Sequence, residues 1–295
     1  MKHYCFFGEG ILECFSMKTS HSLPRLGMMR LWQDRNTIIP ALLSTCPVLD
    51  KIAITYHRGG NDDGCVDLVR DFIREGRNGD CRVEIHYYPY DVYFVHHPWY
   101  SEHWFRGHPS SFSCFTQFAF LQSIAGYEKI PHSWVKLDTD TVYVTEVLEY
   151  IFKKAEEAAG ERKAFKGMLL YHDTVPYQGK LWWTMNNPIC GLYRDNCVYN
   201  PYIQLHGYGI GYGDDGDFPE SVLPESEGSE FLHPPRVCGF QFRKKIWING
   251  PVKVPVDSSL VSPLRKDVIE DFEMYMRPVL MAGGSDYGLL EMSAE

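Results

Sequence analysis

Apolar positions along the chain alternate between blocks of helical spacing and short β-branched runs, separated by glycine and polar turns. KIAITYH (51–57) reads as a strand, RGGNDDG (58–64) as a loop, and CVDLVRDFIREG (65–76) as an amphipathic helix closed by a glycine. CRVEIHYYP (81–89) is the next strand. Upstream, ILECFSMKTSH (11–21) predicts a first strand ending in small polar residues. Residues 27–45 place Met28, Leu31, Trp32, Ile38, Ile39, Leu42 and Leu43 at helical spacing, which predicts a helix that Pro40 kinks or interrupts. Downstream come a helix at 111–126, a strand at SWVKL (133–137), a helix at 145–160 and a strand at 163–172. In the helix at 145–160, Val147, Leu148, Ile151, Phe152 and Ala155 share one stripe. Beyond residue 172 the pattern turns irregular and aromatic, with strands expected in 237–248 and a helix at 266–277.

Strand–helix alternation of this kind predicts an α/β fold: a mixed, mostly parallel sheet flanked by helices. The 295 residues show no composition break, low-complexity tract or repeat, so one domain over 1–295 with an irregular C-terminal extension is expected. No run approaches the roughly 20 apolar residues of a membrane span, and no membrane partner is expected. Glu9 and Glu13 interrupt the apolar N-terminal patch, which argues against a signal peptide. The nine cysteines are widely spaced with no Cys-x-x-Cys pair. They predict free, mostly buried thiols in a reducing, cytoplasmic setting and no cysteine zinc site. The net charge of −9 disfavours a nucleic-acid partner without closing that option. Arg243-Lys244-Lys245 is a short basic run of the kind usually found on a solvated strand or turn edge.

The stretch SWVKLDTDTVYV (133–144) carries the sharpest candidate chemistry. On an extended chain Asp138 and Asp140 stand on the same side, because strand side chains alternate with period two. Two carboxylates so close repel. They lie where a strand of the expected sheet ends, and open α/β sheets bind ligands outside the carboxyl ends of their strands. A hard divalent cation, manganese or magnesium, resolves the repulsion and commonly shares such carboxylates with substrate phosphates. The plainer alternative is that Asp138 caps a turn and Asp140 is solvated.

With these elements in this order, the chain resembles the nucleotide-sugar-dependent glycosyltransferases of the GT-A fold, a Rossmann-like architecture, and most closely the family-two group. The resemblance rests on ECFSMKTSH, the helix at 27–45, KIAITYHRGGNDDG and FLQSIAGYEKIPHSWVKLDTDTVYV, and covers residues 11–172, with 205–220 added. It implies a nucleotide-sugar-binding core in 11–172 and acceptor-side and closing elements in 173–295. It also implies that Asp138 and Asp140 handle the metal and donor, and that Asn61, Asp62 and Asp63 lie near the nucleoside. The chain departs from the family pattern in that its Asp-Asp-Gly follows the strand only after HRGGN.

A second acidic cluster lies in GYGIGYGDDGDFPES (207–221), where alternating glycines suggest a loop that permits close backbone approach to a ligand. An inverting transfer needs a carboxylate to take the proton of the incoming hydroxyl. The resemblance puts Asp215 in the position of that base, with Asp217 as the alternative and Asp214 beside them. A floppy acidic loop is the other reading. Residues 86–118 are dense in Tyr, Trp, Phe and His without regular period. A satellite core with some acceptor-wall function, through Trp99, Tyr100 or Trp104, is favoured over a histidine metal site at His96, His97, His103 and His108. His172 or His233 could complete a cation's ligand set.

The expected activity is transfer of a sugar from a nucleotide-sugar donor to a hydroxyl-bearing acceptor: a saccharide, a protein side chain or a hydroxylated DNA base. Two other classes compete. A sugar nucleotidyltransferase would need a Gly-rich phosphate loop after the first strand, and MKTSHSLPRLG has none. A non-catalytic carbohydrate-binding protein would have no need of two intact acidic clusters. Oligomeric state is not written in the sequence.

Overall fold

A computed structural model describes residues 3–7, 10–14, 22–58, 63–93, 108–184, 192–202, 230–232, 237–243, 246–248, 252–254 and 256–293. Among the described residues, the first two strands, β1 (His3–Phe7) and β2 (Gly10–Cys14), pair only with each other, antiparallel. The large sheet begins at β3 (Arg25–Leu31), followed by helix α1 (Ile38–Thr45), β4 (Lys51–His57), α2 (Cys65–Arg74) and β5 (Arg82–Tyr88). Helix α3 (Phe112–Ile124) then leads to β6 (Ser133–Asp138), a short β7 (Thr141–Tyr143) and helix α4 (Thr145–Gly160).

The later strands are β8 (Phe165–Tyr177), β9 (Lys180–Thr184), β10 (Leu192–Tyr199), β11 (Glu230–Leu232), β12 (Gly239–Phe242), β13 (Ile246–Ile248) and β14 (Val252–Val254). Two-residue strands β15 (Val261–Ser262) and β16 (Glu291–Met292) bracket helices α5 (Lys266–Asp271) and α6 (Arg277–Ala282), which a π-helical turn at Phe272–Met276 joins. Among the described residues twelve strands share one sheet, whose main path is β15-β9-β8-β10-β6-β3-β4-β5. The β6-β3-β4-β5 half is parallel, and β10, β8 and β9 continue it antiparallel. The expected mixed α/β sheet flanked by helices is therefore present.

Helices cover both faces. Met29 and Leu31 of β3 join the main core with α1, α2, α4 and the α5–α6 pair, whereas Leu26 and Met28 face the other way, onto Ala119 and Phe120 of α3. Such two-sided burial produces one substantial error in the expected elements. Residues 27–45 are not one helix: 25–31 are a central strand and a helix begins only at Ile38. A strand buried on both faces reads as an unbroken apolar run, which periodicity alone cannot tell from a helix. Pro40 does not kink the helix; it sits in the first turn, where a missing N–H breaks no intrahelical bond.

The expected first strand at 11–21 overlaps only the separate β1–β2 pair, and 15–21 lie outside the described residues. The loop after the first core strand is consequently WQDRNT (32–37), not MKTSH. The division at residue 172 falls within β8, and β12 pairs with that strand in parallel, so the sheet runs across it. No helix among the described residues is long and apolar enough to cross a membrane. Cys46, Cys65, Cys81, Cys114, Cys197 and Cys238 form no disulfide, and of these only Cys114 is not buried.

Candidate functional site

The two aspartates occupy the place their strand predicts. Asp138 is the last residue of β6, paired in register with Arg30 near the end of β3, and Thr139-Asp140 form the turn into β7. β7 is held from two sides. The Tyr143 N–H donates to Ser44 Oγ on α1 (3.1 Å), and β12 runs antiparallel beside it. That second contact requires a glycine, since a Cβ at Gly239 would lie 2.3 Å from the Val142 carbonyl oxygen. The Asp140 carbonyl accepts from the Phe242 N–H (2.7 Å), and the Asp138 N–H donates to the buried hydroxyl of Tyr143 (3.0 Å).

A third carboxylate reaches this turn. Asp34, in the loop after β3, accepts from the hydroxyl of Thr139, the residue between the two motif aspartates. The same hydroxyl lies 3.0 Å from the Arg30 carbonyl, and its single proton serves one acceptor at a time. Asp34 belongs to the polar break Gln33-Asp34-Arg35-Asn36, which separates the strand from the helix. That break was the available signal, hidden when 27–45 is taken as one helix.

Charge is unevenly compensated here. The Lys136 ammonium, buried, lies 3.2 Å from Asp138 Oδ1. Arg243 is drawn inward onto Asp173, whose other oxygen accepts from Thr184 (3.0 Å); it is a buried ion pair and not part of a solvated basic edge. Lys244 and Lys245 lie outside the described residues. Burial first, then the charges of Asp34 and Asp138, push the Asp140 carboxyl up to about 7, against the opposing pull of Arg243 and Gln241. Among the described residues, hydrogen bonds to the Asp140 side chain fall on Oδ1: from Gln241 Nε2 (3.1 Å) and Thr141 Oγ1 (3.5 Å).

These residues fit a hard divalent cation. Burial and then the neighbouring carboxylates hold Asp140 toward its neutral form, and among the described residues one of its oxygens accepts no hydrogen bond and the amide oxygen of Gln241 beside it is buried without a partner. Among the described residues no group of three or more His, Cys, Asp or Glu side chains is arranged to hold a metal ion. A cation here would therefore need water, phosphate or amide oxygens to complete its shell.

The other expected site residues distribute as follows. Asp63 lies on the same rim, after β4, and its carboxylate joins two loops: Oδ2 accepts from the Arg35 N–H (3.0 Å) and Oδ1 from the Cys65 N–H at the start of α2 (3.1 Å). Asn61 and Asp62 lie outside the described residues, as do Asp214, Asp215, Asp217 and His233. His172 is buried against Phe240 and Trp183, and burial lowers its pKa to about 4, so the ring is neutral. Phe240 and Gln241 are consecutive in β12 and face opposite sides, so His172 lies away from the side chain that reaches Asp140.

From the aromatic segment, Tyr88, Val92 and Phe115 form a small core with Phe112, Cys114 and Phe118. His108 Nδ1 accepts from the Ser110 N–H (3.1 Å). His96, His97, Trp99, Tyr100, His103 and Trp104 lie outside the described residues. One aromatic side chain that the sequence assigned to a helix stripe stands at the site instead. Trp32, directly after β3, is 42% exposed, with the His57 ring at the end of β4 beside it (6.1 Å between centroids). No protein-family model matches the chain, and no curated protein matches it.

Proposed function

We propose that the chain is a glycosyltransferase that moves a sugar from a nucleotide-sugar donor to a hydroxyl acceptor, with manganese or magnesium at Asp138 and Asp140. The observation that carries this reading is the convergence of Asp34, Asp138 and Asp140 at the carboxyl ends of two adjacent parallel strands. Parallel α/β sheets bind ligands at that end, and three carboxylates brought together beside Lys136 and Arg243 offer hard oxygen donors to a cation. A bound cation supplies charge to the diphosphate as its bond to the sugar breaks.

In this reading the chain's own groups do three things. Lys136 and the Tyr143 hydroxyl fix Asp138 at its side chain and backbone, and the Thr139 hydroxyl holds Asp34 against the turn. The exposed ring of Trp32 offers an apolar face to the nucleoside base. Asp215, with Asp217 as the alternative, takes the proton of the acceptor hydroxyl, an assignment that comes from sequence resemblance alone.

The test is a thermal-shift screen of nucleotides and nucleotide sugars with and without Mn²⁺, followed by assay of sugar release and transfer. Stabilisation by nucleoside diphosphates and their sugars that depends on Mn²⁺ is expected. Absence of any such selectivity, with no sugar release in Mn²⁺, would refute the proposal.

A further inference from the structure

Gln241 occupies a place where a glutamine needs a reason. It lies between Phe240 and Phe242, each 1% exposed, and is itself 5% exposed. Ladders on both sides hold its backbone, opposite Thr141 of β7 and Asp173 of β8, and the Thr174 hydroxyl donates to its carbonyl (2.7 Å). The one hydrogen bond its side chain makes among the described residues is to Asp140.

Its amide is oriented by that partner. Nε2 donates to Asp140 Oδ1 at 3.1 Å, and with Asp140 ionised, as a bound cation requires, the reverse orientation would set two acceptor oxygens against each other. Oε1 is therefore the atom left over, and it is buried with no hydrogen-bond partner among the described residues. A buried carbonyl oxygen without a donor is destabilising, and methionine would fill a similar volume without that cost. A donor supplied by a ligand is the direct resolution.

We infer that Gln241 is a positioning residue for the divalent cation at Asp138 and Asp140: Nε2 holds Oδ1 of Asp140, leaving Oδ2 for the cation, and Oε1 accepts a hydrogen bond from a water that the cation carries. The inference rests on the metal-dependent reading above. It goes further in naming an uncharged residue, on a strand about a hundred positions from the aspartates, as part of the cation's surroundings. Partners that orient metal-binding carboxylates typically contribute about 10–100-fold to metal affinity.

The experiment uses the full chain and Mn²⁺ alone, without nucleotide, following free Mn²⁺ by electron paramagnetic resonance. Gln241→Met should weaken Mn²⁺ binding about tenfold while the metal-free protein melts at the same temperature or higher. Water-proton relaxation by bound Mn²⁺, which reads exchange of its waters, should change in the same variant. An affinity within about twofold of wild type, with unaltered relaxation, overturns the inference. So does a variant that binds Mn²⁺ normally but loses stabilisation by nucleotide sugars, because Oε1 then serves a sugar hydroxyl.

If Gln241→Met does not fold, Gln241→Glu keeps an acceptor oxygen at the same place. It lacks the Nε2 donor that holds Asp140, so water-proton relaxation by bound Mn²⁺ should differ from wild type whatever the affinity, and unaltered relaxation counts against the role. Failure of wild type itself to bind Mn²⁺ is a different result: it refutes the metal-dependent reading before Gln241 is in question.

Discussion

Thr139 hydrogen-bonds through its hydroxyl to the carboxylate of Asp34, which ties the middle of the Asp-Thr-Asp turn to the loop after β3. Thr139 is buried, 3% exposed. The pair explains why a small hydroxylated residue stands between the two aspartates. It brings a third acidic group to the turn and fixes its position without adding positive charge.

Thr139→Val keeps the shape and removes the hydroxyl, leaving Asp34 without this donor. A destabilisation of about 1 kcal/mol and about tenfold weaker Mn²⁺ binding are expected. Thr139→Ser should restore metal binding, because it returns the hydroxyl while losing only the methyl. Denaturant unfolding and Mn²⁺ titration on both variants check this. If Thr139→Ser binds Mn²⁺ as weakly as Thr139→Val, packing matters here and not the hydrogen bond.

Asp140 gives a pH dependence whose sign can be worked out. Its pKa is raised from 3.8 to about 7 in the metal-free fold, so the folded chain holds this proton more tightly than the unfolded chain does. Between about pH 4 and pH 7 the unfolded state binds fewer protons, and stability falls as pH rises. Above that range the loss is complete. Asp140→Asn cannot ionise and can keep an oxygen for the Gln241 amide. In chelator it should match or trail wild type at pH 4 and melt at a higher temperature at pH 8, while Mn²⁺ stabilises wild type alone. Parallel melting curves for the two proteins across that range would show that the carboxyl is not strained by its neighbours.

Much of the fold was legible because its elements carry period and punctuation. KIAITYH is β4 to the residue, and the stripe of Val147, Leu148, Ile151, Phe152 and Ala155 marks α4 with both its ends. The strand end at Asp138 was legible for the same reason. β3 was not, because Leu26, Met28, Met29 and Leu31 are buried between helices on both faces and lack the polar alternation that marks a strand. That single misreading also hid Trp32 and Asp34, which follow the strand. Gln241 was illegible for a different reason: its partner is distant in sequence, and a lone glutamine between two phenylalanines looks like any half-buried strand residue.

Asp215 is a separate question from metal binding. If it is the base, Asp215→Asn should lower kcat by roughly 10²-fold or more while donor affinity stays near wild type. Asp214→Asn should do much less. Donor affinity by thermal shift and kcat by sugar transfer distinguish the roles. Loss of donor binding with kcat intact would move Asp215 to the donor site and leave Asp217 as the candidate base.

Trp32 tests the donor side from the opposite direction. Its ring is exposed, it follows β3 directly, and the His57 ring supports it from the end of the neighbouring strand. A large exposed ring contributes little to the core, so Trp32→Ala should leave the melting temperature of the free protein within about 2 °C of wild type, the shift expected from well under 1 kcal/mol in a chain of this size. If the ring carries the nucleoside base, the same variant should bind nucleoside diphosphates about tenfold more weakly, with Mn²⁺ affinity measured without nucleotide unchanged. Trp32→Phe should recover most of the loss, because a smaller ring still presents a face for stacking. Nucleotide titrations on the three proteins decide it. Equal affinity in all three would remove Trp32 from the donor site, and a large drop in melting temperature would show that its buried portion packs as core.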